Sequence, residues 1–293
     1  MTSRPLNRSS GTIDGIASHG IASVLAILGF ATLASAQVYD ANIVVNSGFE
    51  NGPASPNGQT VVPPTGWTSI GSATVVPYSI GGQFPTASSP GSPIRGNQFL
   101  AGGPTSSLGQ VFQLVDLTAY GSAIDSGGVA FQFGAWLGGF GAEDDIARAI
   151  IVWADVNSNS LRTDTIVGPS AVVRGGVTGF ENYFTSSRVP VGVRKALITV
   201  TLSRIIQPYN NAYIDDVSLE LRRVCDEIDF NNDLSVFDPV DIDAFLSVFS
   251  EGPCVPVESA CNDIDFNNDG SVFDPADIES FLSVFSEGPC LPQ

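Results

Sequence analysis

The segment DFNNDGSVFDPADIESFL, Asp265 to Leu282, places oxygen-bearing side chains at alternate positions: Asp265, Asn267 and Asp269, followed by Gly270. Such alternation lets a short loop wrap one side of a hard cation, and glycine takes the left-handed turn that aims the oxygens inward. An EF-hand loop closes with an acid at its twelfth position. Here that position holds Ala276, and Asp277 follows at the thirteenth. One extra residue between Val272 and Asp277 would restore the closing carboxylate. The other role open to Asp277 is helix capping, with Asp274 as N-cap, Pro275 at the first helical position and Asp277 completing a capping box. The two roles are compatible. Ile278, Phe281, Leu282 and Phe285 then form an apolar helical stripe that reads as core, and Gly288 ends the helix.

The same words occur earlier as DFNNDLSVFDPVDIDAFL, with Asp229, Asn231, Asp233 and Asp241 in the matching places. Cys225–Cys254 and Cys261–Cys290 align with a 36-residue period and 24 identities in 30 positions. Duplication this close implies two copies of one loop-and-helix unit packed together. Leu234 stands where the second copy has Gly270, which should make the first site the weaker one, since a branched residue at positive φ costs about 1–2 kcal/mol. The repeat favours one disulfide per copy, Cys225–Cys254 and Cys261–Cys290, among the three pairings that four cysteines allow.

Charge separates this tail from the rest of the chain. Residues 225–293 carry 16 acids and no Lys or Arg, whereas residues 37–224 carry 13 acids and 10 bases. A nucleic-acid partner would need a basic patch, and there is none. Before residue 37 stand Arg4 and Arg8, an apolar run from Ile21 to Leu33, and Ala34-Ser35-Ala36, the order of a secretory signal peptide. The expected divisions are a signal peptide over 1–36, a large domain over 37–221 and a duplicated module over 222–293. No later segment has the roughly 18–20 unbroken apolar residues of a membrane span, so a secreted or cell-surface protein is expected.

The repeated DFNND, SVFDP and DI words resemble the dockerin module, in the variant of large secreted proteins of planctomycete-type bacteria. The resemblance implies paired Ca2+ loops, each followed by a helix, and a cohesin-like receptor as a possible partner. The extra loop residue and the flanking cysteines depart from the usual dockerin pattern.

Residues 37–221 hold short apolar runs between Gly, Pro and Asn clusters, without a long helical pattern. In KALITVTLS, Ala196, Ile198, Val200 and Leu202 share one face, with Leu197, Thr199, Thr201 and Ser203 on the other. Phe131, Phe133, Ala135 and Leu137 line up likewise. Period-two segments predict an antiparallel β-sandwich, a jelly roll of about eight strands or more. The opening NIVVNSGFENG with Gly66-Trp67, and the closing NNAYIDDVSLEL, resemble the galactose-binding-like jelly roll of many carbohydrate-binding modules. That resemblance implies first and last strands that meet, and a structural calcium held by Glu50 and Asp215. Strand periodicity expects Tyr213, Asp215, Val217 and Leu219 on one face, with Asp216 turned to solvent.

For a ligand, WLGGFGAEDD offers Trp136 and Phe140 for stacking on a sugar ring, with Glu143, Asp144 and Asp145 to accept hydroxyl hydrogen bonds. A hairpin loop with core aromatics is the plainer alternative. Trp67, Tyr78 and Phe99 are further stacking candidates. Asp155 to Ser160, DVNSNS, reads as an Asn/Asp turn before a cation loop. The single histidine, His19, lies in the signal segment, and every cysteine lies in the tail, so the usual triads and zinc-hydrolase sites cannot be built. The expectation is a non-catalytic glycan- or surface-binding protein with an attachment module. A structural protein without sugar binding, or a carboxylate-dependent glycosidase or lyase, are the alternatives.

Overall fold

The computed structural model describes residues 37–205, 208–226, 228–233, 235–255 and 261–286. Residues 1–36, expected to be a signal segment, and Leu234, Gly288 and Cys290 fall outside them.

Among the described residues, ten antiparallel strands form two five-stranded sheets. They are β1 (Thr68–Ile70), β2 (Thr74–Pro77), β3 (Gln98–Gly103), β4 (Leu108–Asp116), β5 (Val129–Gly139), β6 (Ile146–Ala154), β7 (Ser160–Val167), β8 (Gly179–Arg188), β9 (Lys195–Ser203) and β10 (Asn210–Arg223). One sheet has the order β1-β4-β9-β6-β7, the other β2-β3-β10-β5-β8. A short helix, α1 (Gly121–Asp125), follows β4. The protein is mainly β, as the period-two runs imply: Ala196, Ile198, Val200 and Leu202 of β9 face Phe131, Phe133, Ala135 and Leu137 of β5 across one core. The amino-terminal segment closes on the last strand, with Asp40 N donating to Leu221 O, Ile43 N to Leu219 O, and an Asn42–Glu220 bridge.

The strand-face expectation for β10 is corrected. Its register against β5 shifts between Asp215 and Ser218, and Asp216 has φ +43°. This bulge adds one residue. Ala212, Ile214, Val217, Leu219 and Leu221 therefore point into the core, while Tyr213 points out into a second apolar cluster. That cluster joins Tyr213, Phe99 and Phe180 on the sheet to Tyr78 and Phe84, which belong to the segment folded over it.

The tail carries helices α2 (Pro239–Phe249) and α3 (Pro275–Phe285), each with Asp as N-cap, Pro at the start and both hydrogen bonds of a capping box. Phe245 and Phe281 stack at 4.2 Å between the helices. Phe237 of the first copy reaches Phe285 of the second, and Phe273 reaches Phe249, both at 6.1 Å. The duplication thus gives a two-fold core. Phe281 is fully buried and Ile278 and Phe285 partly so, but Leu282 is 49% exposed, so the expected apolar stripe is narrower than four residues.

The disulfide expectation is overturned. Cys254 bonds to Cys261, seven residues on, which excludes Cys225–Cys254 and Cys261–Cys290 together. Cys225 is also disulfide-bonded. Antiparallel docking of the copies brings the end of one beside the start of the next, so the bridge staples the connection between repeats.

Candidate functional site

Each tail loop is organised by its own carboxylates. Asp265 Oδ1 accepts from Asp269 N and Oδ2 from Gly270 N, Asn267 Oδ1 accepts from Asp269 N, and Asp269 Oδ1 accepts from Ser271 N. The first copy repeats this, with Asp233 N donating to both Asp229 Oδ1 and Asn231 Oδ1. The extra residue in each loop is absorbed by a left-handed phenylalanine, Phe237 at φ +61° and Phe273 at +62°. Asp241 and Asp277 are thereby carried from the helix back to the loop and are fully buried. Asp241 Oδ1 meets Asn231 N at 3.5 Å. Asp277 Oδ2 accepts from Asp274 N, while its Oδ1 has no partner. Burial pushes the Asp277 carboxyl up to about 6, with Asp265 and Asp274 adding repulsion. Asp241 is raised for the same first reason. Capping and loop closure are therefore done by one side chain. Asp277 thus keeps a buried oxygen without a hydrogen-bond partner beside Asp265 and Asp274, although no group of three or more acidic side chains among the described residues is placed to hold a metal ion.

A second carboxylate group lies where the amino-terminal segment meets β10. Glu50 Oε1 accepts from Asn97 N and Gln98 N. Asp215 is fully buried; Tyr78 Oη donates to its Oδ2 at 2.5 Å and Asp216 N to its Oδ1. Burial raises its pKa well above the carboxylate range, and Asp216 and Glu50 add to the rise. Both Asp215 oxygens are thus engaged. It is Asp216 whose Oδ2 is buried without a partner, not solvated as its strand position suggests. A Cβ added at Gly48 would lie 2.8 Å from Asp216 Oδ1, so glycine is what lets the three acids converge. The bulge re-aims Asp216, which alternation counting could not show.

The loop after β5 is held from behind. Asp145 is buried, its Oδ1 accepting from Ile205 N and Oδ2 from Asn211 N, both at 2.6 Å. Asp144 Oδ1 accepts from Ala171 N, and Glu143 Oε2 from Asn211 Nδ2. Trp136 and Phe140 pack, half-buried, against the second apolar cluster. The plainer hairpin reading describes these residues. Arg174, which the sequence did not single out, is buried and donates through Nη2 to Gly141 O and Glu143 O, with its pKa lowered by burial. Asp155 closes its turn on Asn159 through backbone and side chain, an Asn/Asp turn as expected.

An opening runs along the edge of β4. Trp67, Phe112, Leu114 and Tyr120 line a groove of about 490 Å3, with Val45 on its rim and Asp116 as the one acid among its described lining residues. Gln113 supports it: its Oε1 accepts from Val45 N and its Nε2 donates to Val45 O and Gly66 O. One side chain replaces a strand pairing that would otherwise fill the edge. The groove continues onto the outer face of the β1-containing sheet, where Phe112, Val152 and Leu197 cluster. Gln110 and Thr201 stand beside them, joined by a hydrogen bond at 3.3 Å.

No protein-family model and no curated protein matches the chain. Among solved structures, tailspike protein 4 of bacteriophage CBA120 matches 61% of the chain at 20% identity and a TM-score of 0.37. An arabinose-bound α-L-arabinofuranosidase matches 62% at 15% identity and 0.39. The chain spans about a fifth and a quarter of those two proteins, 21% and 27%. The carboxy-terminal family 22 carbohydrate-binding module of Clostridium thermocellum Xyn10B matches 62% of the chain and 93% of its own length, at 14% identity and 0.35.

Proposed function

We propose that this is an exported, non-catalytic protein whose sandwich binds glycan and whose tail is a calcium-loaded, dockerin-like attachment module. The observation that carries the second half is the pair of fully buried carboxylates, Asp241 and Asp277, turned back onto duplicated oxygen-rich loops, one with an oxygen that has no partner. Asp229, Asn231, Asp233 and Asp241 would hold one Ca2+, and Asp265, Asn267, Asp269 and Asp277 the other. Glu50 and Asp216, with Asp215 behind them, would hold a third, structural Ca2+ between the chain's opening segment and its last strand. A cohesin-like receptor is the partner that the resemblance implies.

The glycan half rests on the β4 groove. Apolar and aromatic walls beside a row of amide and hydroxyl side chains match the alternating faces of a sugar chain. Retaining hydrolysis needs two carboxyls about 5–5.5 Å apart, and the described lining of the groove has one acid, which favours binding over cleavage.

Affinity electrophoresis of the chain from Gln37 in polysaccharide gels tests the sugar reading. Retardation by a polysaccharide, lost in Asp116→Ala and in Val45→Asp, is the expected result. Unretarded migration in every gel would leave the structural alternative. Calorimetric titration with Ca2+ tests the metal reading, and a flat titration would end it.

A further inference from the structure

The two copies of the loop are nearly identical in sequence but not in surroundings. In the second, Asn268 sits between Asn267 and Asp269, with φ +54°, and is 98% buried. Its Oδ1 accepts from Ser126 Oγ at 2.6 Å, just past the carboxy-terminal end of α1. Its Nδ2 donates to Val224 O and to Asp226 Oδ1 at the connection between the domains. Gly128 lies so close that an added Cβ there would collide with the Asn268 side chain. The strand end closes the arrangement, since Val224 N donates to Gly128 O and Asp226 N to Phe266 O. In the first copy Asn232 has the same backbone, φ +55°, but is exposed and reaches Asn262, the counterpart of Asp226. One motif thus makes an internal contact in one copy and a domain contact in the other.

We infer that the second loop is a metal-dependent latch: Ca2+ held by Asp265, Asn267, Asp269 and Asp277 locks the tail onto the sandwich through Asn268. The inference rests on the calcium reading above and goes beyond it, because it assigns the two sites different tasks. Asn268 is flanked on both sides by side chains of the donor set, so the loop conformation that gathers their oxygens also presents Asn268 to Ser126 and Val224. Without a cation, Asp265 and Asp277 repel one another, which weakens the loop from which Asn268 reaches Ser126, Val224 and Asp226. A cleft of about 330 Å3 between the loop and α1, lined by Ser122, Ser126, Asp265 and Asp269, gives an ion a way in. Ion binding and domain docking are then linked, each strengthening the other by the same factor.

Hydrogen exchange on the chain from Gln37, with and without Ca2+, tests this. The segment 222–226 holds the Val224 and Asp226 amides, and Ca2+ should slow its exchange about tenfold or more. Asn268→Gly keeps the left-handed backbone and deletes the latch. It should reduce that slowing to under about threefold, while Ca2+ still slows the loop amides of Asp269 and Gly270. Asn232→Gly should leave the 222–226 response unchanged. If Ca2+ binds and protects the loop but leaves 222–226 unaffected, or if Asn268→Gly responds like the parent, the latch is wrong and the calcium reading stands. If calorimetry shows no Ca2+ binding, both fall.

Discussion

At the scale of the residue, buried carboxylates divide by whether their oxygens find donors. Asp145 is fully served by two backbone amides, so Asp145→Ala should orphan both and cost about 2–5 kcal/mol in urea unfolding. Asp277 completes the helix cap with one oxygen and keeps the other without a hydrogen-bond partner. Replacing Asp265 and Asp269 together by Ala should remove most of the calcium-dependent rise in the tail's melting temperature. The pair Asp229 and Asp233 should matter less to the junction, because the first loop lacks the Asn268 contact. Melting curves in Ca2+ and in chelator distinguish these outcomes. Asp216 was not legible, because strand alternation assumes an unbroken register.

At the scale of the element, the β10 bulge decides which side chains enter the core. Deleting Asp216 would remove the extra residue and leave Ala212, Ile214, Val217, Leu219 and Leu221 in unbroken inward alternation, while taking its carboxylate away from Asp215 and Glu50. The expected outcome is a variant that keeps near-ultraviolet circular dichroism and soluble yield, and loss of both would show that the fold itself requires the bulge. The tail helices were legible in detail, since Asp-Pro followed by Asp two places on is a complete start signal for each. Their packing was not, because a single copy cannot show that Phe245 stacks on Phe281. Phe245→Ala should cost about 3–5 kcal/mol in the tail's own unfolding, measured by its loss of helical signal.

At the scale of the whole molecule, the Cys254–Cys261 bridge ties the copies together in place of stapling each one. Non-reducing peptide mapping should recover that pair, and Cys254→Ser with Cys261→Ser should cost about 2–3 kcal/mol, the entropy of so short a closed loop. Recovery of Cys225 linked to Cys254 would reverse the packing of the repeats. Asn268 supplies a polar contact between the acidic tail and the nearly neutral sandwich, beside the Asp226 carboxyl on which Arg188 acts.

The sequence by itself determined what is local or periodic. The alternating core faces of β5 and β9, the capped helices, the duplicated loops and the separation of charge all follow from residue type and spacing, because each depends on neighbours in the chain. Only the tertiary structure decided what depends on distant partners. Those features are the disulfide pairing, the release of Asp216 and engagement of Asp215, the groove that Gln113 holds open, and the use of Asn268 but not Asn232 at the domain junction. Each turns on which surfaces meet, and two copies of one sequence meet different surfaces.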